Sequence, residues 1–337
     1  MIDLSVLMLA YGEEAYLHDA VEAVLASNGV ELELLLVDNG CTSDAVATLP
    51  ADPRVTILRP DRNLGFTGGV NLAAHHADAA TLALVNSDAI VEPDALEILV
   101  AALAEPGAGI VSACIRLADR PDVVNTVGNP LHVLGLSWAG GLGEPVSEHA
   151  ATRTVSSASG ACMAIRTELW DELGGLPEDF FAYAEDLELS WRAWQHGRSV
   201  VYVPTASARH HYEFSRSPLK MYLLERNRLL FVLTTYGRRM LALLALPLLA
   251  FEVAILALSV KQGWSRQKLR GWWWLMRHAG RIRARRALVQ STRSVPDRAL
   301  VSLMTDTFDS AQMAMPPGSE VIQSLLRHYW SLVSRWV

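Results

Sequence analysis

The chain has 337 residues, more than one compact domain usually takes, and 51% of them are hydrophobic, so a large core with one appended region is expected. The net charge of −7 hides an asymmetry: residues 1–260 hold 32 acidic and 16 basic side chains, whereas residues 261–298 hold 11 basic ones and one acid, Asp297. Cys41, Cys114 and Cys162 are widely spaced and lack any CxxC or Cys/His ligand spacing, which excludes a disulfide framework and a zinc cluster and reads as reduced, cytoplasmic thiols.

The opening "MIDLSVLMLAYG" carries Asp3 and lacks both a basic leader and a small-residue cleavage site, so it reads as a first strand rather than a signal peptide. Residues 1–115 then alternate apolar runs with amphipathic stretches: "EEAYLHDAVEAVLAS", "ELELLLVDN", "RVTILRP", "GGVNLAAHHAD", "TLALVNSD", "PDALEILVAALAE", "GIVSACI". Strand and helix in series predict an α/β fold with a mostly parallel sheet flanked by helices. Ligands of such sheets bind beyond the carboxyl ends of the strands, where this reading puts Tyr11, Asp38, Asn39 and Asp88.

Residues 116–158 are rich in Gly, Pro and polar side chains and read as loop. The pattern resumes at "SSASGACMAIRTELWDELGG", a strand and a helix closed by Gly174 and Gly175. A second helix, from about Glu185 to a stop at Gly197, follows, and then the strand "SVVYVP". Beyond about residue 215 the composition is helical: "KMYLLERNRLLFVLTTYGRR", the apolar run of residues 240–260 with Glu252 as its one charge, and the Trp- and Arg-rich "GWWWLMRHAGRIRARR". The domains expected are therefore residues 1–215, holding the site, and a helical region, residues 216–337.

Four places carry chemistry. Asp38, with Asn39 and Gly40 behind it, sits where a strand opens into a turn; it is either plain turn chemistry or a carboxylate accepting hydrogen bonds from a nucleoside. "RNLGFTGGVNLA" sets Arg62, Asn63, Gly65, Gly68 and Gly69 ahead of a helix, which could bring backbone N–H groups and a cation near a diphosphate. Asp88 is an Asx-turn residue or a ligand of a hard cation such as Mg²⁺, which needs only one or two carboxylates beside phosphate oxygens and water. Glu185, Asp186 and Glu188 open a helix directly behind the aromatic "DFFAY", where an acid pair could be tuned as a general base; the alternative is a solvated, dipole-stabilised helix start. Downstream, His210 and His211 point to opposite faces if extended, so at most one enters the site.

Taken in order, "VDNG", "NLGFTGGVN", "LVNSDAIVEPDAL", "SGACMAIR", "ELGGLPEDFFAYAEDLELSWRAWQHG", "VPTASARHH" and "LERNRLL" resemble the family 2 glycosyltransferases of GT-A fold, most closely their bacterial rhamnosyltransferase-like branch, over residues 4–235. The resemblance implies an inverting transfer from a dTDP- or UDP-sugar to a glycan or polyprenyl-linked acceptor, with Mg²⁺ or Mn²⁺ as cofactor. It implies that Asp38 binds the nucleoside and that Tyr11, Asn39, Arg62, Asn63, Gly68 and Asn86 line the donor nucleotide. It also implies that Asp88 is the last acid of a degenerate DxD motif, that Asp186, next to Glu185, is the catalytic base, and that Gly160, Trp191 and Arg192 face the sugars. His210 resembles the metal-side histidine because Ser215 follows it at the family's spacing. Asn86 holds the first DxD position, a departure from the full motif.

The run of residues 240–260 has about the length needed to cross a bilayer. Crossing would carry the densest positive charge away from the cytoplasm, against the positive-inside rule. A helix or hairpin lying in the cytoplasmic leaflet is the expected alternative, with Trp272, Trp273 and Trp274 at the interface and Arg281, Arg283, Arg285 and Arg286 on anionic headgroups. This puts the protein at the cytoplasmic face of a bacterial cell membrane. No nucleic-acid recognition fold accompanies the basic segment, so nucleic acid is not an expected partner; the buried-helix alternative leaves room for a homo-oligomer. Two rival functions are a sugar-1-phosphate nucleotidyltransferase and a non-catalytic membrane-attached scaffold.

Overall fold

Continuous apolar runs cannot leave one face in water, so the strands they form lie at the centre of a sheet with helices on both sides. The structure, a computed structural model, describes residues 2–211, 217–309 and 319–337. Contacts divide it into two units: residues 1–129, 139–193 and 198–213 form the first, and residues 130–138, 194–197 and those from 214 onward form the second. The second therefore takes two short pieces from within the segment expected to be one domain.

The first unit contains β1 (Leu4–Gly12), α1 (Leu17–Leu25), β2 (Leu32–Cys41), β3 (Val55–Leu58), α2 (Gly65–His75), β4 (Thr81–Val85), β5 (Ala89–Val91), α3 (Ala95–Leu103), β6 (Ala108–Leu117) and β7 (Arg120–Thr126). Past β8 (Leu131–His132), which belongs to the second unit, come β9 (Arg153–Thr154), β10 (Cys162–Arg166), α4 (Thr167–Leu173), α5 (Glu185–Gln195) and β11 (Ser199–His210). The sheet order is β3-β2-β1-β4-β10-β6-β11-β5, with β7 on β6 and β9 on β11. Pairing is parallel through β3-β2-β1-β4 and again between β6 and β11, while β10 enters antiparallel between β4 and β6. That insertion places the start of β10 beside the end of β4, Cys162 opposite Val85. Residues 116–158, read as loop, include β7: "RPDVVNT" pairs with β6, bridges Pro145 through Val123, and leaves its first three residues exposed, so the polar residues mask the strand pattern.

Two glycines behave as their sequence position demands. Gly174 ends α4 in the left-handed region at φ 73°, and Gly197, φ 76°, lies two residues past α5. Gly69 lets α2 lie close on the sheet, since a Cβ there would sit 2.1 Å from Cδ1 of Leu9.

The second unit is helical: α6 (Pro218–Thr235), α7 (Arg238–Lys261), α8 (Ser265–Arg277), α9 (Ala279–Ser291), α10 (Asp297–Leu300) and α11 (Ser319–Val333), with β12 (Met304–Thr305) parallel to β8. Ser217 caps α6 by accepting from the N–H of Lys220 at 3.1 Å, with Pro218 at the first helical position. α7 is 24 residues long with most of its apolar surface uncovered, Leu246 at 72% exposure, while its lone acid is buried. Glu252 pairs with Arg228 of α6 and with Lys268 of α8 at 2.8 Å, and the indole N–H of Trp272 donates to it at 2.6 Å. Of the three tryptophans expected at an interface, Trp273 is exposed; Trp272 serves this cluster, and Trp274 stacks on His278 with the Arg226 guanidinium 4.7 Å from its ring. Arg286 likewise turns inward, donating to the carbonyls of Leu233 and Tyr236 that end α6.

Candidate active site

The carboxyl ends of β1, β2 and β4, the amino end of β10 and the start of α5 meet at one edge of the first unit. The N–H of Asn86 donates to the carbonyl of Ala161 at 3.1 Å, and next to Ala161 the N–H of Gly160 donates to Oδ2 of Asp186 at 3.3 Å. A Cβ on Gly160 would stand 3.8 Å from that of Asp186, so the glycine faces the acid directly. Nδ2 of Asn129 donates to the same oxygen at 3.4 Å, and Oδ1 of Asp186 accepts from the N–H of Leu187 at 2.7 Å. Burial raises the Asp186 carboxyl above its ordinary range, against these N–H donors. Glu185 is buried, its Oε2 has no hydrogen-bond partner among the described residues, and burial together with the Asp186 charge pushes it up to about 8. Loss of water thus holds both carboxyls toward their protonated forms.

A strained turn aims this pair. Phe181, Tyr183 and Ala184 all have positive φ, 64°, 70° and 64°. The turn is fastened to α2, whose Thr67 N–H donates to the carbonyl of Phe181 at 3.1 Å, and Gly65 leaves the room: a Cβ there would sit 2.4 Å from that carbonyl oxygen.

Asp38 acts as a turn residue, accepting from the N–H of Cys41 at 3.1 Å, while its other oxygen lies 3.5 Å from Nε of Arg59. The cation beside it is thus Arg59, not Arg62, which is exposed and lines a cavity of about 580 Å³ with Arg59, Leu64 and His76. Asn39 is buried and ties down the glycine-rich loop: its Nδ2 donates to Oδ1 of Asn63 at 3.0 Å, and its Oδ1 accepts from the N–H of Leu64 at 2.8 Å. Oδ1 of Asn63 also accepts from the N–H of Gly65 at 2.7 Å. The N–H groups of Leu64 and Gly65 therefore already have protein acceptors, and Asn39 and Asn63 act as a clamp on the loop. Gly68 itself packs inside the helix, a Cβ there meeting that of Leu64 at 2.9 Å. Tyr11 stays exposed at the end of β1, and the half-buried side chain of Asn86 lies at the end of β4.

The two histidines at the end of β11 have different surroundings. Nε2 of His210 lies 3.1 Å from Oδ1 of Asp88 and its Nδ1 3.0 Å from Oδ1 of Asn125, whereas His211 stacks on Tyr16 with ring centroids 3.6 Å apart. Ser215 lies outside the described residues. Asp88 and His210 supply one hard oxygen and one imidazole nitrogen at a single point. That donor set fits a divalent cation that completes its shell with phosphate oxygens and water. No group of three His, Cys, Asp or Glu side chains able to hold a metal occurs among the described residues. Glu14 approaches the same point from the loop after β1; burial raises its carboxyl, and the Asp88 charge adds to this.

Two expected sugar contacts lie elsewhere. Trp191 is 0% exposed, inside the core, and Arg192 is buried on Glu188, Nη2 to Oε2 at 2.7 Å, while donating to the carbonyls of Leu173 and Gly175. The i, i+4 spacing that looks like a solvated helix face is here an internal ion pair. Asn125 and Asn129 lie in the polar segment 116–158, and Glu14 and Arg59 lie beside motif residues, so none of the four carries a sequence signal of its own.

The family model described as "Glycosyltransferase like family 2" matches residues 3–231. A succinoglycan biosynthesis protein of Rhizobium meliloti is 33% identical over 39% of this chain and 36% of its own length. An N-acetylglucosaminyl-diphospho-decaprenol L-rhamnosyltransferase of Mycobacterium tuberculosis is 26% identical over 62% of this chain and 76% of its own. The chain spans 16% to 36% of the length of the first three curated relatives it matches. Among solved structures, GalNAc-T7 with UDP, GalNAc and Mn²⁺ shares the fold at a TM-score of 0.60, 16% identity and coverage of 72% of this chain and 50% of that one.

Proposed function

The chain belongs to glycosyltransferase family 2, and on that premise we propose that it is an inverting transferase passing a sugar from a nucleoside diphosphate to a lipid-linked or cell-wall glycan, with Asp186 as base. The observation that carries this reading is the setting of Asp186. It is half-buried, aimed by the left-handed turn, held by Gly160 and Asn129, and one peptide away from the strand end that carries Asn86. A carboxylate made more basic by burial, beside a Glu185 that stays neutral, suits removal of a proton from an acceptor hydroxyl. The hydroxyl oxygen forms a bond to the anomeric carbon as the bond from that carbon to the diphosphate breaks, and the proton moves to Asp186. A divalent cation, when bound, offsets the charge growing on the departing diphosphate. Asp88 and His210 would hold it, and Asp38, with Arg59, would meet the nucleoside.

Rhamnose is the favoured sugar, supported by the mycobacterial relative's name, and a polyprenyl-linked or polysaccharide acceptor is supported by that name and by the succinoglycan relative's. Mn²⁺ in the crystals of GalNAc-T7 and of a Pyrobaculum calidifontis mannosyltransferase supports the cation. The exposed apolar face of α7 and the exposed Trp273, Arg281 and Arg283 support a surface lying on an anionic cytoplasmic leaflet. The burial of Glu252 among Arg228, Lys268 and Trp272 favours a helix held laterally over a free membrane span.

The test is sugar transfer or donor hydrolysis across a panel of nucleotide sugars with and without Mn²⁺. Asp186→Asn is expected to lose roughly 10²- to 10⁴-fold in turnover, the usual contribution of a positioned base. Near-native turnover in that variant would remove the assignment, and near-native turnover in Asp88→Ala would remove the cation site.

A further inference from the structure

We propose that Asn125 is a positioning residue that fixes His210 as a metal ligand, by accepting the Nδ1 proton and leaving the Nε2 lone pair facing Asp88. This rests on the reading of Asp88 and His210 as the cation site.

The argument begins with a conflict of hydrogen-bonding roles. A neutral imidazole has one donor nitrogen and one acceptor nitrogen. Here both nitrogens face acceptor oxygens: Oδ1 of Asn125 at 3.0 Å from Nδ1, and Oδ1 of Asp88 at 3.1 Å from Nε2. Asn125 is 3% exposed and His210 9%, so the contact between the amide and Nδ1 is shut away from solvent. If the Nδ1 proton goes to Asn125, a lone pair and a carboxylate oxygen face each other at Asp88, and that pair of electron-rich atoms is satisfied by a cation between them. If instead Nε2 carries a proton, in the other neutral tautomer or in the doubly protonated imidazolium, that proton is donated to Asp88 and the nitrogen cannot ligate.

The Asn125 amide favours the first arrangement. It presents its oxygen to the ring although this leaves its own Nδ2 buried with no hydrogen-bond partner among the described residues. β7 ends one residue later, and register pairs Ile115 of β6 with Thr126 while β6 also pairs with β11. Asn125 and His210 are therefore brought together through β6, which holds the amide at a fixed place against the ring. Histidine ligands commonly donate their second ring N–H to such an oxygen, and loss of that partner weakens metal binding by roughly 10- to 100-fold.

The experiment uses the full chain labelled with ¹⁵N-histidine, with the His210 ring signals identified by their absence in His210→Gln. In Mg²⁺ the expected pattern is protonated Nδ1 and unprotonated Nε2. Titrating Mn²⁺ alone should broaden the His210 signals in the wild type. Asn125→Ala should need roughly 10- to 100-fold more Mn²⁺ for the same broadening, and Asn125→Asp, which keeps an acceptor at Nδ1, should stay within a few-fold of wild type. A ring protonated on Nε2 in Mg²⁺ overturns the proposal without any variant, as does an Asn125→Ala titration matching wild type. If Asn125→Ala does not fold, the wild-type tautomer and the Asn125→Asp titration decide. Should Mn²⁺ broaden distant residues but leave both His210 and, in Asp88→Ala, its own affinity untouched, the cation-site reading fails along with the proposal; a normal Asp88 effect with an indifferent Asn125 sinks the proposal alone.

Discussion

Glu185 and Asp186 are adjacent acids whose surroundings push them in the same direction for one shared reason, loss of water, with the Asp186 charge adding to the shift of Glu185. A carboxyl raised to about 8 in the folded chain and near 4.5 when unfolded binds more protons folded than unfolded across that interval. Stability from this group is fully present below about pH 4.5 and declines as pH rises toward 8, by at most roughly 1.4 kcal/mol per pH unit. Glu185→Gln, neutral at every pH, should flatten the fall in thermal midpoint between pH 5 and 8 and leave the protein more stable than wild type at pH 8. A wild-type midpoint insensitive to pH over that range would show that Glu185 ionises freely. The acids themselves were legible in the sequence because each ends an apolar run or opens a helix behind aromatics. Asn125 and Asn129 were not, because a neutral amide in a polar edge strand leaves no pattern; its role exists only once β7 has paired with β6. Trp191 and Arg192 misled for the opposite reason. The resemblance carries both over as sugar contacts, whereas Arg192 completes an internal ion pair with Glu188, and burial of such a pair is invisible to periodicity.

At the scale of elements, the parallel strands and their helices followed from alternation of period, and Gly174 and Gly197 marked helix ends as expected. The glycine-rich loop stands out in the sequence, but the reason for its glycines does not. Gly65 is required there by φ 71° and by the carbonyl of Phe181. Gly65→Ala adds both a left-handed penalty and a contact with backbone that cannot swing aside, at a cost of about 2 kcal/mol or more. Because the obstructed carbonyl belongs to the turn preceding Glu185, turnover should fall at least tenfold at a temperature where the variant is still fully folded by circular dichroism. Unchanged kcat in folded Gly65→Ala would mean that the turn does not set the orientation of Asp186.

At the scale of the whole molecule, charge and apolar surface are distributed unequally along the chain, and both concentrate after residue 237. Leu246, Leu249 and Val253 of α7 are exposed, as are Met276 of α8 and Leu288 of α9, while the helices that carry them bring Arg281 and Arg283 to the surface. Single exposed apolar residues need no explanation, but a helix of this hydropathy held by its one buried acid presents apolar area that water disfavours. An in-plane helix and a spanning one differ in what they demand of charge. Lying on the leaflet, α7 gains from apolar burial and from basic neighbours at roughly 1 kcal/mol each, about fivefold per residue, and only on anionic lipid. Spanning, it would be indifferent to Arg281 and Arg283. Flotation of the full chain with liposomes separates the two. Leu246→Glu with Leu249→Glu should abolish co-flotation, whereas Arg281→Glu with Arg283→Glu should weaken it on anionic vesicles and leave the residual binding to neutral ones unchanged. If the arginine pair has no effect while the leucine pair does, α7 inserts without reading headgroup charge, and the in-plane reading falls. If neither pair alters partition, the apolar face meets something other than a bilayer.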